Sequence, residues 1–315
     1  MPGHGEIREE PIATPSAHEV LVRTKYSGIS RGTEALVFNG RVPPSEYARM
    51  RAPFQSGNFP GPVKYGYASV GHVESGPEDL QGHDVFVLYP HQTSFVVPAA
   101  VVHRLPDGVP AARAILAANL ETAINGLWDA RPHVGDRIAV VGAGTVGCLA
   151  AWLASRITGC RVELVDVNRS RAPIAAALDT QFATPESASE ADVVIHASGS
   201  AAGLAVALRL AGFESTVTEM SWYGTDVVPL PLGEDFHVKR LTLKSSQVGH
   251  VAASQRARWD YARRMQLALS LLSDPVLDVL ISGESDFEDL PAVMARLAQA
   301  PGDVLCQRIR YMAKA

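Results

Sequence analysis

Residues 137–166 read RIAVVGAGTVGCLAAWLASRITGCRVELVD. A short apolar run, Arg137 to Val141, leads directly into Gly142-Ala143-Gly144-Thr145-Val146-Gly147. An Ala/Leu-rich stretch follows, and then a second apolar run that stops at Asp166. A G-x-G-x-x-G run acquires meaning in this setting, after a strand and at the head of a helix. The first glycine makes the tight turn, the second lets the backbone approach a pyrophosphate, and the third lets helix and strand pack closely. The helix N-terminus then faces the phosphate charge. Asp166 lies 19 residues past Gly147, where a carboxylate can hold the ribose hydroxyls of NAD and repels a 2′-phosphate. Arg169 and Arg171 stand close by and suit such a phosphate, so NADP stays open beside NAD.

The rest of the chain is consistent with a small-molecule protein. Its 315 residues are 47% hydrophobic, enough for two domains with sizeable cores. Lys and Arg total 28 against 33 for Asp and Glu, with no basic block, so the clustered charge of a nucleic-acid footprint is missing. Cys148, Cys160 and Cys306 show neither a CxxC pair nor metal-type spacing and read as core residues of a reducing compartment. The opening MPGHGEIREEPIATPSAHEV has no apolar signal region, so a cytoplasmic location is expected. Ile138 to Ser155 is 18 residues without a charge. That length formally suits a membrane span, but the glycine spacing explains it better, and no membrane partner is expected.

Between about Val20 and Pro106, short β-branched runs broken by Gly and Pro predict an all-β module. Residues 39–62 read as a long, Pro- and Gly-rich loop with a short helix near Ser45 to Met50. From about Val109, Ala/Leu-rich helices alternate with apolar strands, which predicts a parallel sheet covered on both faces. A strand, helix, strand tail closes the chain. The expected fold is α/β, with boundaries at 1–118, 119–274 and 275–315.

The segments YSGISRGTE (26–34), YGYASVG (65–71), GHDVFVL (82–88), FVVPAAVVHRLPDG (95–108), LETAINGL (120–127) and VVGAGTVG (140–147) together resemble the medium-chain dehydrogenase/reductase family over essentially the whole chain. SGISRGTEALVFNGRVPP is similar to a branch that includes bacteriochlorophyllide dehydrogenases, but is too short a match to carry a substrate over. The resemblance implies a GroES-like β-rich catalytic domain beside a Rossmann doubly wound parallel sheet. It further implies hydride transfer between NAD and a small molecule, and a homodimer. In zinc-bearing members the first ligand is a cysteine in the segment matching SGIS, which places Ser30 there. The second is the histidine of a Gly-His-Glu motif, here Gly66-Tyr67-Ala68, and the third falls near Ala118. Serine, tyrosine and alanine are not zinc ligands, and the four-cysteine structural lobe is missing, so the resemblance is to metal-free reductases. Glu121 lies within three residues of the third ligand position, and with His91 would make an irregular, two-ligand site.

Without a metal, a hydroxyl or an imidazole must polarise the substrate oxygen. Tyr67 is the first candidate, because it stands in the ligand histidine's place; a core aromatic anchored by its hydroxyl explains it equally well. Ser30 and Thr33 lie in the segment that supplies a ligand and a relay hydroxyl, with one residue more between them than is usual. His91, in LYPHQTSF, is the histidine placed nearest the cleft. Thr122 matches a nicotinamide-contacting position, Ser198 and Gly199 follow a strand of the nucleotide domain, and Trp222 and Tyr223 follow the next. The expected activity is zinc-independent, NAD(H)-dependent redox chemistry on a secondary alcohol and ketone pair or an activated double bond. A non-catalytic nucleotide-binding protein and a redox-neutral epimerase or eliminase remain alternatives.

Overall fold

The computed structural model describes residues 2–300 and 302–312. The chain divides into two compact units, residues 1–118 with 265–315, and residues 119–264. The second division therefore falls at 264/265 rather than at 274/275. Arg113 accounts for the difference, because its guanidinium donates to the carbonyls of Leu272 and Ser273 at 3.1 and 3.3 Å and forms two bonds of 2.7 and 2.6 Å to Asp278. These bonds tie the residues after Met265 to the first unit.

The unit of residues 119–264 is built on six strands: β1 (Arg137–Val141), β2 (Arg161–Val165), β3 (Gln181–Ala183), β4 (Ala191–His196), β5 (Ala211–Glu219) and β6 (Thr242–Ser245). Their order in the sheet is β3-β2-β1-β4-β5-β6, and every neighbouring pair is parallel. β1 is buried at every residue after Arg137, as expected of a parallel strand covered on both faces. The uncharged stretch 138–155 resolves into β1, the glycine turn and α1 (Thr145–Ser155). Among the described residues no helix is long and apolar enough to cross a membrane. α2 (Ala172–Ala177) and α3 (Ala201–Leu210) follow β2 and β4. The core beneath α3 gathers Ala139, Val165, Val194, Leu204, Leu208 and Val217.

Two glycines make the β1 turn. Gly142 sits at φ +109, a backbone conformation that L side chains rarely adopt. At Gly147 an added Cβ would lie 1.8 Å from the carbonyl oxygen of Gly142, so the first turn of α1 can close on the end of β1 only without a side chain. β1 and β4 lead to opposite sides of the sheet order, and the turns after them meet. A Cβ on Gly142 would lie 2.5 Å from the amide nitrogen of Ser198. This is the switch point of a doubly wound sheet, where such folds leave a crevice beyond the strand ends.

In the first unit the strand Glu19–Ile29 pairs antiparallel with Ser69–Ser75 along one edge. Its other edge is shared by Ser94–Pro98 and Cys306–Arg310. Residues of alternate sign of burial place Val20, Val22, Val73, Val85, Phe95 and Val97 in one core. The tail runs Ile281–Asp286, helix Leu290–Gln299 and Cys306–Arg310, with the two strands parallel. Val293 and Leu297 on that helix pack with Ile29 and Ile309. In place of a helix near 45–50 the 39–62 segment has one 3₁₀ turn, Pro44–Glu46. Cys148 and Cys306 are buried, and burial pushes both thiols up to about 12, which leaves them as inert packing groups.

Replacing Gly147 by alanine forces α1 away from β1. The expected cost is about 1–3 kcal/mol, read as a fall of several degrees in Tm by calorimetry. An unchanged Tm would show that the contact is not needed.

Candidate active site

The first unit assembles its polar site where the strand Glu19–Ile29 passes into the helix Arg31–Phe38. Ser30 occupies the N-cap position, and Thr33 and Glu34 lie in the first turns. Tyr67 is half-buried, and Ser30 and Thr33 lie near enough to its hydroxyl to favour the phenolate slightly. Burial, and after it the negative charge of Glu34, push the Tyr67 phenol well above its ordinary range. Tyr67 therefore stays protonated and keeps its capacity to donate at physiological pH.

Glu34 is the anchor of this cluster. One carboxylate oxygen accepts from the Ser30 amide at 2.8 Å, and the other lies 2.9 Å from Nε2 of His91. Nδ1 of His91 lies 2.7 Å from Oγ of Ser27, which in turn lies 2.9 Å from the Tyr311 hydroxyl. Carboxylate and imidazole are only 3% and 5% exposed, so each depends on the other for solvation. An ionised Glu34 can only accept, so Nε2 carries a proton toward it. In the neutral imidazole the chain then runs in one direction: Tyr311 donates to Ser27, Ser27 donates to His91, and His91 donates to Glu34. Gly66, at φ +125, makes room for the ring, since a Cβ there would lie 2.8 Å from Cδ2 of His91.

A row of rings leads from the 39–62 segment to Tyr67. Tyr47 faces Phe59 at 5.8 Å, Phe59 faces Tyr65 at 6.1 Å, and Tyr65 meets Tyr67 edge-on at 6.1 Å. The long segment thus fixes the tyrosine through packing.

The structure brings Ser30, Thr33 and Tyr67 together, with His91 joined to them through Glu34. Glu121 lies in the other unit on the helix Ala117–Ala130, where its carboxylate pairs with Arg264 at 3.0 Å. Arg264, 2% exposed, also donates to Asn125 at 2.6 Å and to the carbonyl of Val248 at 2.7 Å. Burial raises the Glu121 carboxyl, partly offset by Arg264, and the pair is a buried structural tie. The irregular site imagined from Glu121 and His91 therefore has both members engaged elsewhere. Among the described residues no group of three or more His, Cys, Asp or Glu side chains could hold a metal ion. Hydroxyls at Ser30 and Tyr67 and a doubly engaged Glu34 do not make a zinc donor set.

In the second unit, Gly142, Ala143 and Gly147 are buried, while Gly144, Thr145 and Val146 are half-buried at the head of α1. Asp166, at the end of β2, accepts from the Ala143 amide at 2.7 Å and from the Asn168 amide at 2.8 Å. Each oxygen accepts one of these bonds and retains further acceptor capacity. Arg171 is buried and Arg169 exposed. Thr122 is half-buried on its helix, and Ser198 and Gly199 are exposed beside Gly142. The cradle a Cβ would fill, and the acid at the next strand end, fit a dinucleotide.

Sequence reasoning missed Ser27, Tyr311, His196 and Glu219. The last two carry a readable signal, for each is an ionisable residue ending an apolar strand, in DVVIH and STVTE.

No family model matches the chain. It is 24% identical to D-guloside 3-dehydrogenase of Escherichia coli strain K12 over 316 residues, covering 90% of this chain and 87% of the relative. Sorbitol dehydrogenase of Halalkalibacterium halodurans is 27% identical over 237 residues, 62% of this chain and 67% of the relative. Among solved structures, galactitol-1-phosphate dehydrogenase of Escherichia coli superposes with TM-score 0.75 at 15% identity, covering 98% of this chain and 97% of its own. A zinc-binding dehydrogenase of Sinorhizobium meliloti bound to NADP gives 0.75 at 16% identity over 96% and 95%. These structures share the fold of a GroES-like domain with a Rossmann domain.

Glu34→Ala would leave His91 and the Ser30 amide without their acceptor. The expected loss is about 3–5 kcal/mol, read from the urea unfolding midpoint. A midpoint equal to that of the wild type would remove Glu34 from this role.

Proposed function

We propose, the homologues of this chain being dehydrogenases of the medium-chain family, that it is an NAD(H)-dependent oxidoreductase that works without zinc. Its substrate class is a secondary alcohol and ketone pair, or an activated double bond, of a small metabolite. The observation that carries the zinc-free reading is the Tyr67 hydroxyl, beside Ser30 and Thr33 and kept protonated by burial and by Glu34, at the position that matches the second ligand of zinc-bearing members of the family.

Gly142, Gly144 and Gly147, with Thr145 and Val146 at the head of α1, would hold the pyrophosphate. Asp166 would take the ribose hydroxyls, and Ser198, Gly199 and Thr122 are the residues that would serve the nicotinamide half. The bound nicotinamide supplies or accepts the hydride. Tyr67 donates a hydrogen bond to the substrate oxygen, and that bond strengthens as negative charge develops there. The Tyr65 ring packs edge-on against the phenol, Ser30 and Thr33 lie beside it, and His91 fixes Glu34 behind them. NAD is favoured over NADP, because Asp166 opposes a 2′-phosphate and Arg171 is buried.

Two outcomes follow. Tyr67→Phe is expected to lower kcat by about 10²–10³ with NADH affinity nearly unchanged, since only a donor to the reacting oxygen is removed. An unchanged rate would take Tyr67 out of the mechanism, and elemental analysis finding one zinc per chain would overturn the metal-free reading. Asp166→Ala is expected to weaken NADH binding at least about tenfold in a fluorescence titration, through the loss of charged hydrogen bonds. Equal affinity in wild type and variant would show that the ribose lies elsewhere.

A further inference from the structure

The carboxyl edge of the second unit holds a chain of side chains of which only the last, Ser198, has a place in the cofactor reading. β4 ends in His196, which is completely buried, and β5 ends in Glu219. Nδ1 of His196 lies 2.7 Å from Oε2 of Glu219, and Nε2 lies 2.6 Å from Oγ of the exposed Ser198. Glu219 is fixed in turn: the Ser221 amide donates to it at 2.6 Å and the Tyr223 hydroxyl at 2.9 Å. Burial alone would raise its carboxyl, but the hydrogen bonds from His196 and Ser221 outweigh it and hold the group below its ordinary range. The ionised carboxylate accepts only, so in the neutral imidazole Nδ1 carries the proton. Nε2 is then the acceptor for the Ser198 hydroxyl.

The local backbone serves this geometry. Gly199 at φ +67 turns the chain sharply after Ser198, and α3 begins two residues later. The Ser200 amide lies 3.2 Å from Oγ of Ser198, a donor toward the oxygen as it loses its proton. Gly203, in the first turn of α3, leaves space for the pair, since a Cβ there would lie 2.1 Å from Oγ of Ser198 and 2.9 Å from Nε2 of His196. A cap on a strand end needs neither a carboxylate behind the imidazole nor an exposed hydroxyl in front of it. Nucleophile, base and orienting acid in that order are what an activated serine requires, whatever their order in the chain.

We infer that Ser198 is an acylatable nucleophile, and that this edge of the unit hydrolyses small activated carboxylic esters. Oγ of Ser198 bonds to the acyl carbon while its proton passes to Nε2 of His196. The ester C–O bond breaks, and the alcohol leaves with that proton. Water then attacks the acyl-serine, giving a proton to His196, and the bond from Oγ to the acyl carbon breaks. The carboxylic acid departs and Ser198 recovers its proton from His196. No oxidant or nucleotide enters the step, but Ser198 is also a residue assigned to the nicotinamide half, so bound NADH is expected to slow labelling and hydrolysis.

The test is labelling of the full chain with a fluorophosphonate probe, with peptide mapping of the adduct, alongside hydrolysis of p-nitrophenyl acetate. An adduct on Ser198 is expected, slowed about 100-fold or more in His196→Gln whose fold is verified by circular dichroism. Glu219→Gln serves as the second variant should His196→Gln fail to fold, and its adduct is expected to form more slowly as well. No adduct on Ser198 in the wild type, or an adduct forming at the wild-type rate in a folded His196→Gln chain, overturns the proposal. An NADH titration of the unlabelled protein reports separately on the cofactor. Binding without labelling sinks this inference alone, whereas labelling without binding supports it and sinks the cofactor reading.

Discussion

A carboxylate removed from water must find a partner or give up its charge, and three glutamates of this chain are placed under that constraint. Glu34 is paired with His91, Glu121 with Arg264, and Glu219 with His196. Desolvating each ion costs several kcal/mol, which the partner and additional hydrogen bonds must offset. The consequence is fixity. Glu34 holds the head of the helix Arg31–Phe38 through the Ser30 amide, and Arg264 ties Glu121, Asn125 and the Val248 carbonyl into one cluster. Each pair thus sets the position of backbone that carries a candidate site residue or supports the sheet around it.

The nucleotide unit was legible because its determinants are local. A tight turn, a close helix and a terminal acid all lie within residues 137–166, and each follows from the backbone demands of a few residues. The partner of Glu121 was hidden for the opposite reason. Sequence proximity to a family ligand position says nothing of Arg264, which stands 143 residues away and takes the carboxylate. The domain boundary at 264/265 shows the same limit, since the bonds that draw the tail back start from Arg113, 165 residues before Asp278.

The polar cluster of the first unit was half legible. Ser30, Thr33 and Tyr67 stood out by alignment with residues that elsewhere bind metal. The groups that hold them did not: Ser27 meets His91 across 64 residues and Tyr311 across 284. No periodicity or composition marks a serine in a strand as the link between a histidine and a C-terminal tyrosine. The ring row from Tyr47 to Tyr67 was similarly hidden, because the Pro- and Gly-rich segment that carries Tyr47 and Phe59 has no regular period from which a facing side could be read.

Both units contain the same chemical series, carboxylate, imidazole and hydroxyl, and burial separates their fates. In the first, Ser27 is completely buried and its oxygen is engaged by Tyr311, so the series ends inside the protein and can only hold His91 in place. In the second, Ser198 stands at the surface, with the Ser200 hydroxyl at 3.0 Å and the Ser200 amide at 3.2 Å from its oxygen. An imidazole that orients a buried hydroxyl contributes stability, whereas one that orients an exposed hydroxyl has activated it toward whatever reaches the crevice. The two series therefore act as internal references for each other: the same three groups at nearly the same distances, 2.7 Å from Nδ1 to hydroxyl in the first and 2.6 Å from Nε2 to hydroxyl in the second, with solvent access as the variable that distinguishes a brace from a nucleophile.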